Sequence, residues 1–258
     1  MARRPFSQSI MWALIAFALA FLYLPLAPPL LFSISGEAGV LQDVSLRWYI
    51  EMWRNPLLVG SMETTVVVGA IVGLATPPIA VLGAMAVREL RTPRLIMMLL
   101  LLPLFIPAVS MGLAIAFLLR LAGIPPSLWT IALVHILWAL PFAFLIVLTV
   151  MATFDPIFLE AAYVHGAGRW RAFRDIELPL IWPGITGAAI FAVVLSFNET
   201  VRTALVQGPF NTVQTYIWST FLQVGLSPTL YALMSLIIVL TLALVAVMLL
   251  QQVQRGRR

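Results

Sequence analysis

Six stretches of this chain carry no Asp, Glu, Lys or Arg: Pro5–Gly36, Thr64–Val87, Leu95–Leu119, Leu121–Phe154, Leu178–Asn198 and Thr203–Gln254. A helix crossing the hydrocarbon layer of a bilayer needs about 20 apolar residues at about 1.5 Å each, and every one of these stretches is long enough. The short alternating strands of a membrane barrel would not leave such runs. The chain therefore reads as an all-α membrane protein. Its surface cannot mostly face water, because only 10% of residues are charged where a soluble domain carries roughly 25%.

Around those stretches the apolar pattern predicts six transmembrane helices, at Ile10–Phe32, Ser61–Val87, Leu95–Leu119, Trp129–Val150, Ile181–Asn198 and Thr229–Leu250. Arg3 and Arg4 precede the first, as in a signal peptide. Its apolar run exceeds the roughly 7–15 residues of a signal core and no clear small-residue cleavage site follows, so it is read as a retained span. Thr203–Ser227 is uncharged but rich in Gln, Asn, Thr and Gly, and is expected to lie outside, partly as a short helix dipping into the bilayer. Proline pairs at Pro77–Pro78 and Pro103/Pro107, with Pro25, Pro28 and Pro29, remove backbone donors and predict kinked spans.

The arginines orient the chain. All fifteen basic residues are Arg. With the N-terminus inside, Arg3, Arg4, Arg88, Arg91, Arg94, Arg169, Arg171, Arg174, Arg255, Arg257 and Arg258 fall on the cytoplasmic side, against Arg47, Arg54, Arg120 and Arg202 outside. Six spans then put both N- and C-termini in the cytoplasm. With no soluble domain to carry a basic face, the net charge of +5 does not point to nucleic acid. Cysteine is absent, which removes disulfides and thiolate metal sites.

The longest inner loop, Met151–Leu180, carries the most information. Asp155-Pro156 is a helix start, since Asp caps free amides and Pro suits the first turn. Ile157–Val164 continues as helix, and Gly166 is a stop because it accepts a left-handed backbone. A second short helix over Gly168–Arg174 is expected to be broken by Leu178-Pro179 before the next span. By composition alone, a hairpin resting on lipid headgroups fits such a loop better than a docking element does.

The spacing shifts the balance. Glu160-Ala161-Ala162, then Gly166, then Ile176, Leu178 and Pro179 match the EAA loop signature of binding-protein-dependent ATP-binding-cassette import permeases at each fixed position. Leu102-Pro103-Leu104-Phe105-Ile106-Pro107 with Gly112 is similar to that family's third-span pattern. Ser196-Phe197-Asn198-Glu199, Gly208-Pro209 and Val224-Gly225-Leu226-Ser227-Pro228 resemble the spermidine/putrescine permease branch. The likeness runs from Ser61 to the C-terminus.

The resemblance implies a type I importer (MetI-like) permease fold in the bacterial inner membrane. It divides the chain into a cytoplasmic N-terminus (1–9), a six-helix permease domain (10–250) holding the coupling loop (151–180), and a cytoplasmic basic tail (251–258). It implies a coupling helix seated on a partner ATPase, with Glu160, Ala161, Ala162, His165, Gly166, Arg169, Ile176, Leu178 and Pro179 at the contact. The implied partners are an ATPase dimer, a second and related permease, and a periplasmic or lipid-anchored substrate-binding protein. The branch likeness, with carboxylates Glu63 and Glu199, points to a polyamine or related organic cation along a path that Asn198 would share. No cofactor is expected in this chain: it lacks a Gly-rich run ending in Gly-Lys-Ser/Thr, so ATP belongs to the partner.

The alternative is a gradient-driven secondary transporter, which should show internal repeats with paired broken helices; none is convincing. A Ser–His protease is disfavoured because Ser110 lacks a Gly-flanked turn and only His135 lies in a span. A lone span histidine such as His135 is expected to hydrogen-bond between helices.

Overall fold

The computed structural model describes residues 5–36 and 43–255, with side chains described at residues 8, 10–36 and 43–242. Residues 1–4 of the N-terminal segment, with Arg3 and Arg4, and residues 256–258 of the basic tail, with Arg257 and Arg258, lie outside the described residues. The described residues are helical nearly throughout: α1 (Pro5–Tyr23), α2 (Ala27–Ser33), α3 (Arg47–Arg54), α4 (Pro56–Glu89), α5 (Pro93–Leu101), α6 (Ala108–Leu121), α7 (Leu128–Ala152), α8 (Ile157–Val164), α9 (Arg169–Ala172), α10 (Leu178–Phe197), α11 (Val201–Val206), α12 (Val213–Val224) and α13 (Pro228–Arg255). An antiparallel bridge joins Ser35 and Val44.

Among the described residues, four helical segments are long and apolar enough to cross a membrane: Ile10–Ser33, Pro56–Glu89, Leu128–Ala152 and Arg169–Phe197. A fifth is a bent pair, Pro93–Phe105 with Ala108–Leu121, turning by 104°. The kink expected from Pro103 and Pro107 in the span Leu95–Leu119 is thus a sharp turn between two helices rather than a bend within one. Pro103 sits in a 3-10 turn (Leu102–Phe105), and Ile106 leaves it extended at ψ 123°. A residue before proline is pushed out of the α region, so Pro107 forces the bend. Pro77 and Pro78, by contrast, stay inside a continuous α4.

Two compact units divide the chain, one built from residues 1–59 and 220–258 and the other from residues 60–219. In the first, α13 packs on α2 and α3. Trp48 Nε1 donates to the Ser35 carbonyl at 2.7 Å, Tyr49 Oη donates to Ser33 Oγ at 2.9 Å and lies 2.6 Å from Ser235 Oγ, and Phe32 stacks on Tyr231 at 5.1 Å. These polar ends of large side chains find partners, as burial requires.

In the second unit α7 and α10 form the central pair. Ala80, Ala84, Ala143, Phe144, Val147, Ile181 and Ala188 fill one core, and Val68, Val72, Ile131, Val134, Ala139 and Ala192 another. Membrane helices gain little from apolar contrast with lipid and associate by close packing over small residues. Gly73 faces Val193 so closely that an added Cβ would lie 2.6 Å from its Cγ2, and a Cβ at Gly184 would lie 2.8 Å from Val150. Ser127 and Thr130 cap α7 reciprocally, and Thr130 Oγ1 also donates to the Val206 carbonyl at 3.0 Å. One hydroxyl thus satisfies a helix start and holds α11 against it.

Candidate functional site

The loop after α7 folds as its spacing predicts up to Gly168. Asp155 Oδ1 accepts from Ile157 N at 3.0 Å, supplying an acceptor to an amide that α8 cannot pair itself. α8 spans the expected Ile157–Val164. It ends where Gly166 turns left-handed at φ +79°, a conformation that strains residues bearing a Cβ. On α8, Glu160 and Ala161 are exposed and Ala162 is buried. His165 and Arg169 are exposed, Ile176 and Leu178 half-buried, Pro179 exposed. The loop therefore presents Glu160, Ala161 and His165 outward while Ala162 anchors it.

The second half of the loop differs from expectation. Leu178-Pro179 does not break the helix. α9 runs through a π-helical turn (Phe173–Glu177) directly into α10, so Arg169–Phe197 forms one 29-residue segment. Pro179 falls in the first turn of α10, where a missing N–H costs least. Glu177 closes the π turn, is 2% exposed, and is gripped by Arg88 of α4: Nη1 donates to Oε1 at 2.5 Å and Nη2 to Oε2 at 3.4 Å. A cavity of about 1010 Å³ opens beside this pair, lined by Leu82, Met85, Tyr163, Trp170 and Trp182 among others.

A second polar group lies deeper in the same unit. His135 of α7 places Nδ1 2.7 Å from Ser196 Oγ and Nε2 2.7 Å from Thr203 Oγ1. Thr203 Oγ1 spends its own proton on the Glu199 carbonyl at 3.1 Å. The ring links both hydroxyls, and which nitrogen donates depends on its tautomer. The expected bridging role of this histidine is what the geometry gives. Glu199 accepts from Arg202 N at 2.9 Å and from Arg202 Nη1 at 2.6 Å, both side chains being 6% exposed. The Arg202 guanidinium also lies 4.0 Å from the Trp138 ring centroid, a cation–π distance.

The three residues expected to share a substrate path are thus unlike one another. Glu63 and Asn198 are exposed, whereas Glu199 is buried with its charge taken up by Arg202. Sequence reasoning missed Arg88, Glu177, Arg202 and Trp138 as a working set. For Glu199 and Arg202 a signal existed, because an acid just before a helix reaches the free amides and basic side chains of its first turn. For Arg88 and Glu177, 89 residues apart, spacing carries none.

Comparison with known proteins bears on the family and the fold. Residues 77–258 match the family described as "Binding-protein-dependent transport system inner membrane component". The chain is 26% identical over 230 residues to the spermidine/putrescine transport system permease protein PotC of Escherichia coli, covering 88% of this chain and 87% of that protein. It is likewise 26% identical over 243 residues to the putrescine transport system permease protein PotI of Escherichia coli, covering 88% and 85%. Among solved structures, a crystal structure of a bacterial ABC transporter involved in the import of the acidic polysaccharide alginate superposes with a TM-score of 0.78 at 17% identity, over 98% of both chains.

Proposed function

The chain belongs to the family of binding-protein-dependent transport system inner membrane components, the membrane-embedded permease subunits of ABC importers, and from that premise we propose that it moves a polyamine or related organic cation into a bacterial cell. In this reading six spans cross the cytoplasmic membrane with both termini inside, the sixth formed by α13. Residues 1–9 and 251–258 form cytoplasmic ends, and residues 10–250 the permease domain. A second, related permease completes the path, a binding protein delivers the cargo, and a pair of ATPase subunits binds and hydrolyses ATP. This chain acts as a transport subunit with no nucleotide site of its own.

The observation that carries the reading is the shape of the α8 loop. An eight-residue helix stands out from the span ends, capped by Asp155, ended by Gly166 at φ +79° and exposing Glu160 and Ala161. Small Ala161 lets a partner helix or groove approach closely, Glu160 offers a charge to a basic residue there, and His165 and Arg169 flank the contact. Ile176, Leu178 and Pro179 set the junction with the span. A hairpin resting on headgroups would aim its arginines at the lipid; it would have no use for an exposed carboxylate at the centre of its first helix.

The polyamine assignment rests on likeness to PotC and PotI, whose names specify spermidine and putrescine, and on carboxylates that suit cations. Glu63 and Asn198 are exposed and supply the path in this state; Glu199 joins it only when its pair with Arg202 opens. The test uses the complete transporter in proteoliposomes. Glu160→Lys is expected to insert and assemble normally while cargo-stimulated ATP hydrolysis and spermidine uptake are lost. Full cargo-stimulated hydrolysis in that variant would rule out the coupling role of the loop.

A further inference from the structure

Among the described acidic residues of the loop after α7, only Glu177 is buried, and its partner is not local. Asp155, Glu160 and Asp175 are exposed. Glu177 ends the π turn that joins α9 to α10. A π turn replaces the regular i→i−4 ladder with longer rings, and such turns, rare in general, occur frequently at functional sites. The joint between the exposed loop and its span is therefore the place where a push on the loop would be absorbed as local bending.

Arg88 sits across that joint. It lies in the last turn of α4 and holds both carboxylate oxygens of Glu177, while also donating to Glu89 at 3.2 Å. Two-pronged guanidinium–carboxylate pairs fix orientation as well as distance. Farther along α4, Pro77 and Pro78 remove two backbone donors from the helix interior, weakening its ladder there. The end of α4 is thus bounded by a weakened turn on one side and by the ion pair on the other.

We propose that Arg88 and Glu177 are positioning residues for energy coupling: their ion pair makes the loop and the end of α4 one moving body. A displacement of α8 by the ATPase then reaches α4 as well as α10. The proposal rests on the coupling reading of the loop given above. Neither residue belongs to the spaced pattern Glu160 to Pro179, which leaves the position between Ile176 and Leu178 free.

A purely structural role would show differently. Arg88 is 37% exposed and Glu177 2%, so loss of Arg88 strands a buried carboxylate, whereas Glu177→Gln removes the charge and keeps the shape. A fold-stabilising pair would make Arg88→Met harmful and Glu177→Gln mild. A positioning pair is damaged by both.

The experiment reconstitutes permease, ATPase and binding protein in proteoliposomes and measures spermidine uptake and ATP hydrolysis in the same vesicles. Glu177→Gln is expected to assemble and to hydrolyse ATP at the unaltered rate, with uptake per ATP reduced about tenfold, within the usual range of coupling energies. Arg88→Lys, which keeps the charge but loses the fork, is expected to fall between. The exchanged pair Arg88→Glu with Glu177→Arg is expected to recover most of the loss. Unchanged uptake per ATP in Glu177→Gln, or in Arg88→Lys should the first variant fail to assemble, overturns the proposal. Glu160→Lys measured alongside separates the two ideas. If it abolishes cargo-stimulated hydrolysis while Glu177→Gln and Arg88→Lys leave uptake per ATP untouched, the loop couples and the ion pair does not position it. If Glu160→Lys has no effect, the coupling reading itself falls.

Discussion

Two ion pairs in the same unit solve the problem of a buried carboxylate in opposite ways. Glu199 and Arg202 are three residues apart, equally buried, and closed on themselves by a backbone amide and the Trp138 ring. Arg88 and Glu177 are 89 residues apart, and only the acid is buried. The first pair is a local knot: it stabilises one turn of chain and, with His135 bridging Ser196 and Thr203, holds α7, α10 and α11 in register. The second is a tie between distant segments, and its arginine can return to water. The difference teaches that charge in a bilayer protein can serve either to lock a core or to link two parts that must move together, and that exposure of the cation distinguishes them. A charge buried in a membrane without a partner is costly, so neither arrangement is incidental.

The sharpest way to break the comparison is to remove one cation at a time. Arg202→Met leaves buried Glu199 with no ionic partner, and is expected to destabilise by about 3–5 kcal/mol, read as a lowered unfolding midpoint of the purified protein in detergent. Adding Glu199→Gln to that variant should restore most of the midpoint; equal midpoints for single and double variants would show that the pair is not a lock. Arg88→Met comes next, at about 3 kcal/mol, the low end for a buried pair broken by removing one partner, because the pair is open to solvent on the arginine side. A loss as large as that of Arg202→Met would erase the distinction drawn from exposure. The smallest effect belongs to the exposed pair Arg47–Glu51, 2.7 Å apart on α3. Glu51→Gln is expected to shift stability by less than about 0.5 kcal/mol. A larger change would mean that exposure does not rank these pairs at all.

Much of the architecture was legible in the charge-free stretches. α4, α7 and α10 match the predicted spans within a few residues, and α8 matches fully, because helix length and caps are local properties. The bend between α5 and α6 was partly legible: Pro107 marked it, but a proline kink and a 104° turn write the same letters. Pro179 misled for the same reason. A proline breaks a helix interior yet opens a helix first turn, and which applies depends on the turn before it. Of the candidate site, exposed Glu160 and the Gly166 turn followed from spacing. The burial of Glu199 did not, since a carboxylate at a span end reads as interfacial until an arginine one turn later is seen to fold back onto it. Arg88 with Glu177 was invisible, because no sequence pattern joins residues that meet only after two helices have packed.

The notch at Gly73 has a consequence for how relatives of this chain can diverge. Gly73 and Val193 share a single volume, with room for one side chain between two backbones. Neither position is free to drift alone: growth at 73 demands shrinkage at 193, and the same bargain binds Gly184 to Val150. Substitutions along these helix faces should therefore be inherited as matched pairs, with the sum of the two side chains preserved while each identity changes.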